Sequence, residues 1–370
     1  MTTTMIRTLA NGVVYRNPQP HLRAVHAWHP SLVLLPGGEL LATFDLAQAV
    51  ESFDYHTCLA RSADGGQTWS EPVPLFHDMS PRPATHSVRV GVVADGALVG
   101  FGARFYRDNP NEGLVNRDNL GYVPMDLFLL RSADSGRSWQ GPQMIAPPLV
   151  GPAFELCHRI VELADGRWLA PTSTWKGWNG EAPHGMQAIA LVSHDQGNTW
   201  PEYLSVIDQT ESGVISWEQG LAQLADGRLA AIVWSFDEAR GRSLPNRYAV
   251  SRDGQRFCAP RENGLRGETA KLLTLADGRL LCLYRRLDKP GLWANLVQIT
   301  GDDWINLEEA PLWQGTTSGM SGVRSSGDEL GALKFGYPSM VQLPDGNVLA
   351  VFWCVEDCLH VIRWQRIEMG

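Results

Sequence analysis

The sequence predicts an all-β chain, a six-bladed β-propeller with four-stranded antiparallel blades, and three observations predict it. First, an apolar run, a two-residue turn and a second apolar run recur six times, with the turns at Gly37-Gly38, Asp95-Gly96, Asp165-Gly166, Asp226-Gly227, Asp277-Gly278 and Asp345-Gly346. Asp-Gly between β-prone runs is the strongest short hairpin signal, because both residues accept positive φ. Second, a box of the form Ser-x-Asp-x-Gly-x-Thr/Ser-Trp interleaves with the hairpins, and a repeat of that length marks a repeat architecture. Third, the 370 residues hold 37 Gly and 23 Pro, an excess that fits many turns rather than low-complexity sequence.

The elements follow in order. The first hairpin, Ser31 to Ala42, precedes the box Ser62-Ala-Asp64-Gly-Gly66-Gln-Thr68-Trp69. The second and third hairpins precede the boxes Ser132 to Trp139 and Ser193 to Trp200. Degenerate copies follow the fourth and fifth hairpins, at Ser251-Arg-Asp253-Gly-Gln-Arg-Phe257 and at Asp302-Asp-Trp304. Each unit thus reads as a hairpin, a third strand and a boxed turn into a fourth, the four-stranded blade of a propeller. After the sixth hairpin only Leu359 to Ile367 is left, too short for two strands. The early segment Met5 to Arg16 is therefore expected to supply the missing outer strand and close the ring. No linker interrupts the series, so residues 1–370 read as one domain.

Composition excludes several function classes. The formal charge is −9 and no Lys/Arg run occurs, so the electrostatic footprint that a phosphate backbone or an anionic membrane demands is missing. No stretch approaches the roughly 20 apolar residues of a membrane span, and Met1 to Ala10 lacks the basic start and apolar core of a leader, so a cytoplasmic location is expected. The six cysteines are scattered, mostly in apolar runs where a thiol acts as a small hydrophobe. No dinucleotide, P-loop or H-E-x-x-H pattern is present, and no metal or other cofactor is expected.

The boxes resemble the Asp-box repeats of the sialidase superfamily, over nearly the whole chain. The resemblance implies that the box Asp ties down turn amides and that Trp69, Trp139 and Trp200 pack between strands, away from any chemistry.

In a propeller the starts of the innermost strands share one mouth, the default site. Counting eight residues back from each turn gives His29, Ser87, Cys157, Glu218, Thr269 and Tyr337, and nine back gives Trp28, His86, Leu156, Trp217, Glu268 and Gly336. Eight forward, at the far ends of the second strands, stand Asp45, Ala103, Ser173, Trp234, Arg285 and Trp353, flanked by Arg104, Trp175 and Arg286. Aromatic and fixed polar groups together suit sugar rings, which offer apolar faces and hydroxyl edges. Trp28, His29, Asp45, His86, Arg104, His158, Trp234, Glu268, Arg285 and Arg286 are accordingly the candidate binding residues, and a small carbohydrate or oligosaccharide is the expected partner.

The resemblance further implies a Tyr nucleophile assisted by a Glu, an Asp acid/base and three Arg residues on the substrate carboxylate. Tyr337, opening blade six, and Glu218, opening blade four, match in place and type. Asp54 is the best match to the acid/base, with Glu51 and Asp45 as rivals. Such a mechanism requires the Tyr337 hydroxyl within hydrogen-bond reach of Glu218, since a phenol is a weak nucleophile until a carboxylate takes its proton.

The Arg clamp departs from the family. Trp28-His29-Pro30 stands where the first Arg-Ile-Pro would be, and Trp234 or Ser235 where the second Arg would be. Trp cannot replace bidentate charge-assisted bonds, so an exo-acting glycoside hydrolase on a terminal sugar other than standard sialic acid is expected. Two alternatives stand beside it. One is a polysaccharide lyase or His-dependent glycosidase using His29, His86 or His158; the other is a noncatalytic carbohydrate-binding propeller. Glu268 reads either as a catalytic carboxylate in place of Glu218 or as the ion-pair partner of an Arg on the neighbouring strand end.

Overall fold

The computed structural model describes residues 5–286, 288–314 and 334–370. Its strands form six separate antiparallel sheets, each beginning with one of the predicted hairpins. The inner strands are His26–Leu34, Ala84–Val92, the interrupted pair Ala153–Glu155 and Val161–Glu162, Val214–Gln223, Gly267–Thr274 and Phe335–Gln342. The second strands are Leu40–Ala47, Leu98–Tyr106, Trp168–Trp175, Leu229–Asp237, Leu280–Arg286 and Val348–Glu356. In blade six the outer place is taken by Ile6–Tyr15, paired with Leu359–Met369 from Ile6 opposite Met369 to Tyr15 opposite Ile362. The ring therefore closes with both ends of the chain in one blade.

Burial explains why these segments choose strands. The second strands are buried throughout or nearly so, as expected for sheets packed face to face on both sides. The core lies between blades. Val33 and Leu41 of blade one, for instance, pack with Val88, Leu98, Phe128 and Leu130 of blade two, and Phe44 and Leu40 of blade one share a cluster with Val351 and Leu349 of blade six.

The boxes behave as turn braces. Asp64 Oδ1 accepts the backbone N–H groups of Gln67 and Thr68, each at 3.0 Å, and its Oδ2 accepts the Thr68 hydroxyl at 2.6 Å. Asp134 and Asp195 repeat the arrangement with Ser138 and Thr199. Asp253 keeps two amides, from Gln255 and Arg256, but has Phe257 where the hydroxyl would be. The fifth position departs further, because Gly291–Thr300 and Asp303–Trp313 are joined directly at Gly301-Asp302, with Gly301 at φ 60°. A two-residue hairpin needs no box to hold it.

Candidate active site at the strand starts

The residues eight back from the turns share a backbone device. His29, Glu218, Thr269 and Tyr337 have φ of 49°, 51°, 52° and 49°, in the left-handed region that L-residues rarely occupy. Each sits inside a register shift, between Trp28 and Ser31, Trp217 and Gly220, Glu268 and Lys271, and Gly336 and Ser339. These are bulges, and a bulge re-aims a side chain out of the ladder. Blade two has no such break, and its ladder runs evenly from Ala84 to Val92. Blade three instead interrupts its inner strand between Glu155 and Val161. Left-handed backbone at non-Gly residues costs of order 1 kcal/mol or more each and gathers at functional sites.

Asp45, fully buried, is a hub. Its Oδ2 accepts the hydroxyls of Tyr55 at 2.7 Å and Ser87 at 2.6 Å, and its Oδ1 accepts that of Thr57 at 2.6 Å. Burial alone would raise its pKa, but the Arg89 guanidinium at 3.4 Å and the hydrogen bonds from His29 and Ser87 hold the carboxyl well below the usual range. The Tyr55 proton goes to Asp45, so the 2.7 Å contact between His29 Nδ1 and Tyr55 Oη requires the His29 proton on Nδ1. That tautomer leaves Nε2 as an acceptor. Burial lowers the His29 pKa, which keeps the ring neutral.

Two carboxylates meet on the opposite arc. The Glu218 backbone N–H donates to Glu155 Oε2 at 2.8 Å, and Glu218 Oε2 accepts the Thr269 N–H at 2.7 Å. Burial raises both groups, with Arg285 opposing and Glu155 adding to the shift at Glu218, which is pushed up to about 8. Glu218 is thus a proton carrier at neutral pH, the tuning that acid catalysis uses.

Tyr337 lies across the channel between these arcs. Its hydroxyl accepts Arg89 Nε at 2.9 Å and donates to the Leu156 carbonyl at 3.0 Å, rather than reaching Glu218. Arg89 and Lys271 stand 4.7 and 4.8 Å from its ring centroid, and the His29 ring lies edge-on at 5.3 Å. Burial pushes the phenol pKa up while Arg89 pulls it back.

The other candidates divide between core, rim and channel. Asp54 is exposed, held on its own loop by Ser52 and the Gln48 amide. Trp28 is buried against His360, at a centroid separation of 4.8 Å. Trp234 is 1% exposed, stacked on Trp217 at 4.1 Å, with Trp175 on the far face of Trp217 at 4.7 Å. These rings offer no open face to a sugar. His86 is buried beside Phe76, and burial lowers it to about 4. Arg104 pairs with Asp78, and Arg286 with Asp288 and Glu309. Glu268 and Arg285 form a buried ion pair, Nε to Oε2 at 2.7 Å, and Arg285 also donates to the Phe335 carbonyl. His158 lines the channel beyond Tyr337.

Arg89, Tyr55 and Glu155 complete the site without having been singled out in the sequence. Arg89 carried a readable signal, since a charge inside Ser87-Val-Arg89-Val-Gly has no place in an apolar strand unless it faces a channel. Tyr55 and Glu155 carried none, because a loop and a broken strand placed them. Among the described residues no group of three or more His, Cys, Asp or Glu is arranged to hold a metal, and no helix is long and apolar enough to cross a membrane.

Comparison with known proteins places the fold. A model of the BNR repeat-like domain matches residues 105–349. No curated protein matches the chain. Among solved structures, a protein of unknown function from Dyadobacter fermentans superposes with a TM-score of 0.74 at 22% identity, over 99% of this chain and 100% of that one. A K499G mutant of the NanB sialidase from Streptococcus pneumoniae gives 0.66 at 13% identity, over 96% and 70%. An α-L-arabinanase from Penicillium chrysogenum, complexed with arabinobiose, gives 0.65 at 15% identity, over 98% and 99%. At these identities the likeness is one of fold, and its repeated blades agree with the family match. The chain belongs to the BNR repeat-like domain family.

Proposed function

We propose that the chain is an exo-acting, sialidase-like glycoside hydrolase that removes a terminal sugar other than standard sialic acid at the strand-start mouth. The observation that carries the reading is the set of left-handed bulges that aims His29, Glu218, Thr269 and Tyr337 at one channel. Glu218, holding its proton up to about pH 8, gives that proton to the departing glycosidic oxygen. His29 Nε2, oriented through Tyr55 and Asp45, takes a proton from the water that attacks the anomeric carbon. Tyr337 is the floor beneath the sugar, fixed by Arg89 and the Leu156 carbonyl. A substrate without a sialic carboxylate fits because Arg285, at the end of the blade-five strand, is already paired with Glu268.

One observation favours a second reading. Arg89 Nε, 2.9 Å from the phenol oxygen, stabilises a phenolate, so Tyr337 is the nucleophile if its hydroxyl turns toward Glu218, with Asp54 as acid/base. Aryl glycosides spanning sialosides, uronides, pentosides and deoxy sugars separate the readings. The first expects kcat to fall about 100-fold or more in E218Q and H29A, the usual worth of a general acid or base, and less than about tenfold in Y337F. Loss in Y337F and D54N with H29A active selects the second. A uronide panel that yields unsaturated product instead points to the lyase, and an inert wild type across the panel overturns the hydrolase.

A further inference from the structure

A second site lies beyond Tyr337, in the half of the channel that runs toward the Asp-Gly turns. Here the channel widens into a cavity of about 720 Å³, lined from Tyr337, Arg89 and Lys271 down to Ala94, Ala164 and Gln342 at the strand ends. Tyr337 separates it from the mouth where Glu218 and His29 stand.

The lining has a layered logic. The residues six back from the six turns are Ser31, Arg89, Arg159, Gly220, Lys271 and Ser339. Three blades thus put a long cation at the same level, and the other three put serine or glycine there and leave room. Glu162 is the single acid among the residues around the cavity, and its carboxylate is turned onto the Ala94 amide. In a chain of net charge −9, this cavity has the opposite sign.

Two of the three cations lack a direct ion pair among the described residues. Arg89 is shared between Asp45 and Tyr337. Lys271, only 7% exposed, donates to two carbonyls, those of Cys157 at 2.6 Å and Gln219 at 3.1 Å, and feels Glu218 and Glu155 only from a distance, with no direct ion pair among the described residues. Arg159 donates to the Leu32 carbonyl at 3.3 Å and likewise has no carboxylate partner among them. Arg159 is half-buried, and its guanidinium carries five donors and cannot shed its charge, so a counter-charge brought to it from solution is favoured. Burial lowers the Lys271 and Arg159 pKa values, while Glu218 and Glu155 pull Lys271 back up from a distance.

We propose that this lower half of the channel is a binding site for a small multivalent oxyanion, a phosphate or a carboxylate, held by Arg159 and Lys271 and bounded by Ser31 and Ser339. The apolar walls, from Val33, Val92, Leu221 and Met340, suit the carbon skeleton of an organic anion. The proposal does not rest on the reaction proposed at the mouth, although Tyr337 and Arg89 border both.

Calorimetric titration of the full chain with inorganic phosphate and, separately, with citrate tests it. One saturable site for either anion is expected, and the anion that binds names the source. Affinity should fall about tenfold or more in R159M, the worth of a charge-assisted bond, and fall also in T274E, which adds a carboxylate at the cavity wall. Thermal melts of both variants check that they fold. H29A, at the mouth, should bind as wild type does. Absence of saturable binding for both anions, undiminished binding in R159M and T274E, or a loss confined to H29A would each overturn the proposal.

Discussion

Glu218 shows how one side chain couples chemistry to stability. Its folded pKa is raised to about 8 by burial and by the neighbouring Glu155, against about 4.3 for a free Glu. The native state therefore holds a proton that the unfolded chain releases. The contribution is fully present below the unfolded pKa and is lost as pH rises toward 8. Replacing Glu218 by Gln removes that titration. The melting temperature of the wild type should thus drop relative to E218Q between pH 5 and pH 8, by roughly 3 °C or more at this chain size. In the proposed mechanism the same proton sets the rate, and kcat/KM should fall above about pH 8. A constant difference in melting temperature across that range would mean that Glu218 is ionised in the folded protein. At this scale the sequence was half legible. Glu218 and Tyr337 were found by counting from the turns, but counting locates a Cα and not the partners of a side chain. Asp45 and Asp54 were both within the sequence's reach. Only the fold could put the first under Tyr55 and Ser87 and leave the second on its own loop.

At the scale of the element, box and bulge contrast. A box is local, since Asp, hydroxyl and glycine lie within seven residues, so its geometry is written in the chain. Asp64, Asp134 and Asp195 each gather backbone amides and a hydroxyl, and these bonds hold their carboxyls low. Asp253 keeps the hydroxyl of Ser251 at 3.2 Å but lacks the second one, since Phe257 stands at the seventh position of its box. Melting temperature should therefore fall further in D64A, D134A or D195A than in D253A, and differential scanning calorimetry reads the ranking. An equal or larger fall in D253A would show that the second hydroxyl adds nothing. The bulges were not legible, for a physical reason. A left-handed residue is ordinarily announced by Gly or Asn, yet here His, Glu, Thr and Tyr occupy the position. Neighbouring blades impose that conformation, with Thr269 donating its N–H to Glu218 and accepting the Tyr337 N–H on its hydroxyl at 3.2 Å. Non-local contacts of this kind leave no trace in a single strand's sequence.

At the scale of the molecule, closure decides whether six blades make one cooperative unit. The inner edges are protected in the ring, and blade six owes its outer edge to Ile6–Tyr15. That strand buries Ile6 and Val14. At Gly12 it passes so near Trp364 that an added Cβ would lie 2.6 Å from the indole, so the fit is tight as well as extensive. The first box and hairpin lie far along the chain from Leu359, and the closing strand was legible because the last unit ran out of residues before its blade was complete. Deleting residues 1–15 should uncover the edge of Leu359–Met369 and the face of Trp364, a template for pairing with other chains. We expect a lower urea midpoint, and a species that grows with concentration in sedimentation velocity. Supplying the segment Met5 to Arg16 as a peptide should restore the midpoint in proportion to peptide concentration, as any ligand of the native state does. A truncated chain that stays monomeric with an unchanged midpoint would show that five complete blades and a three-stranded sixth suffice, and that the N-terminal strand only covers an edge the ring does not need.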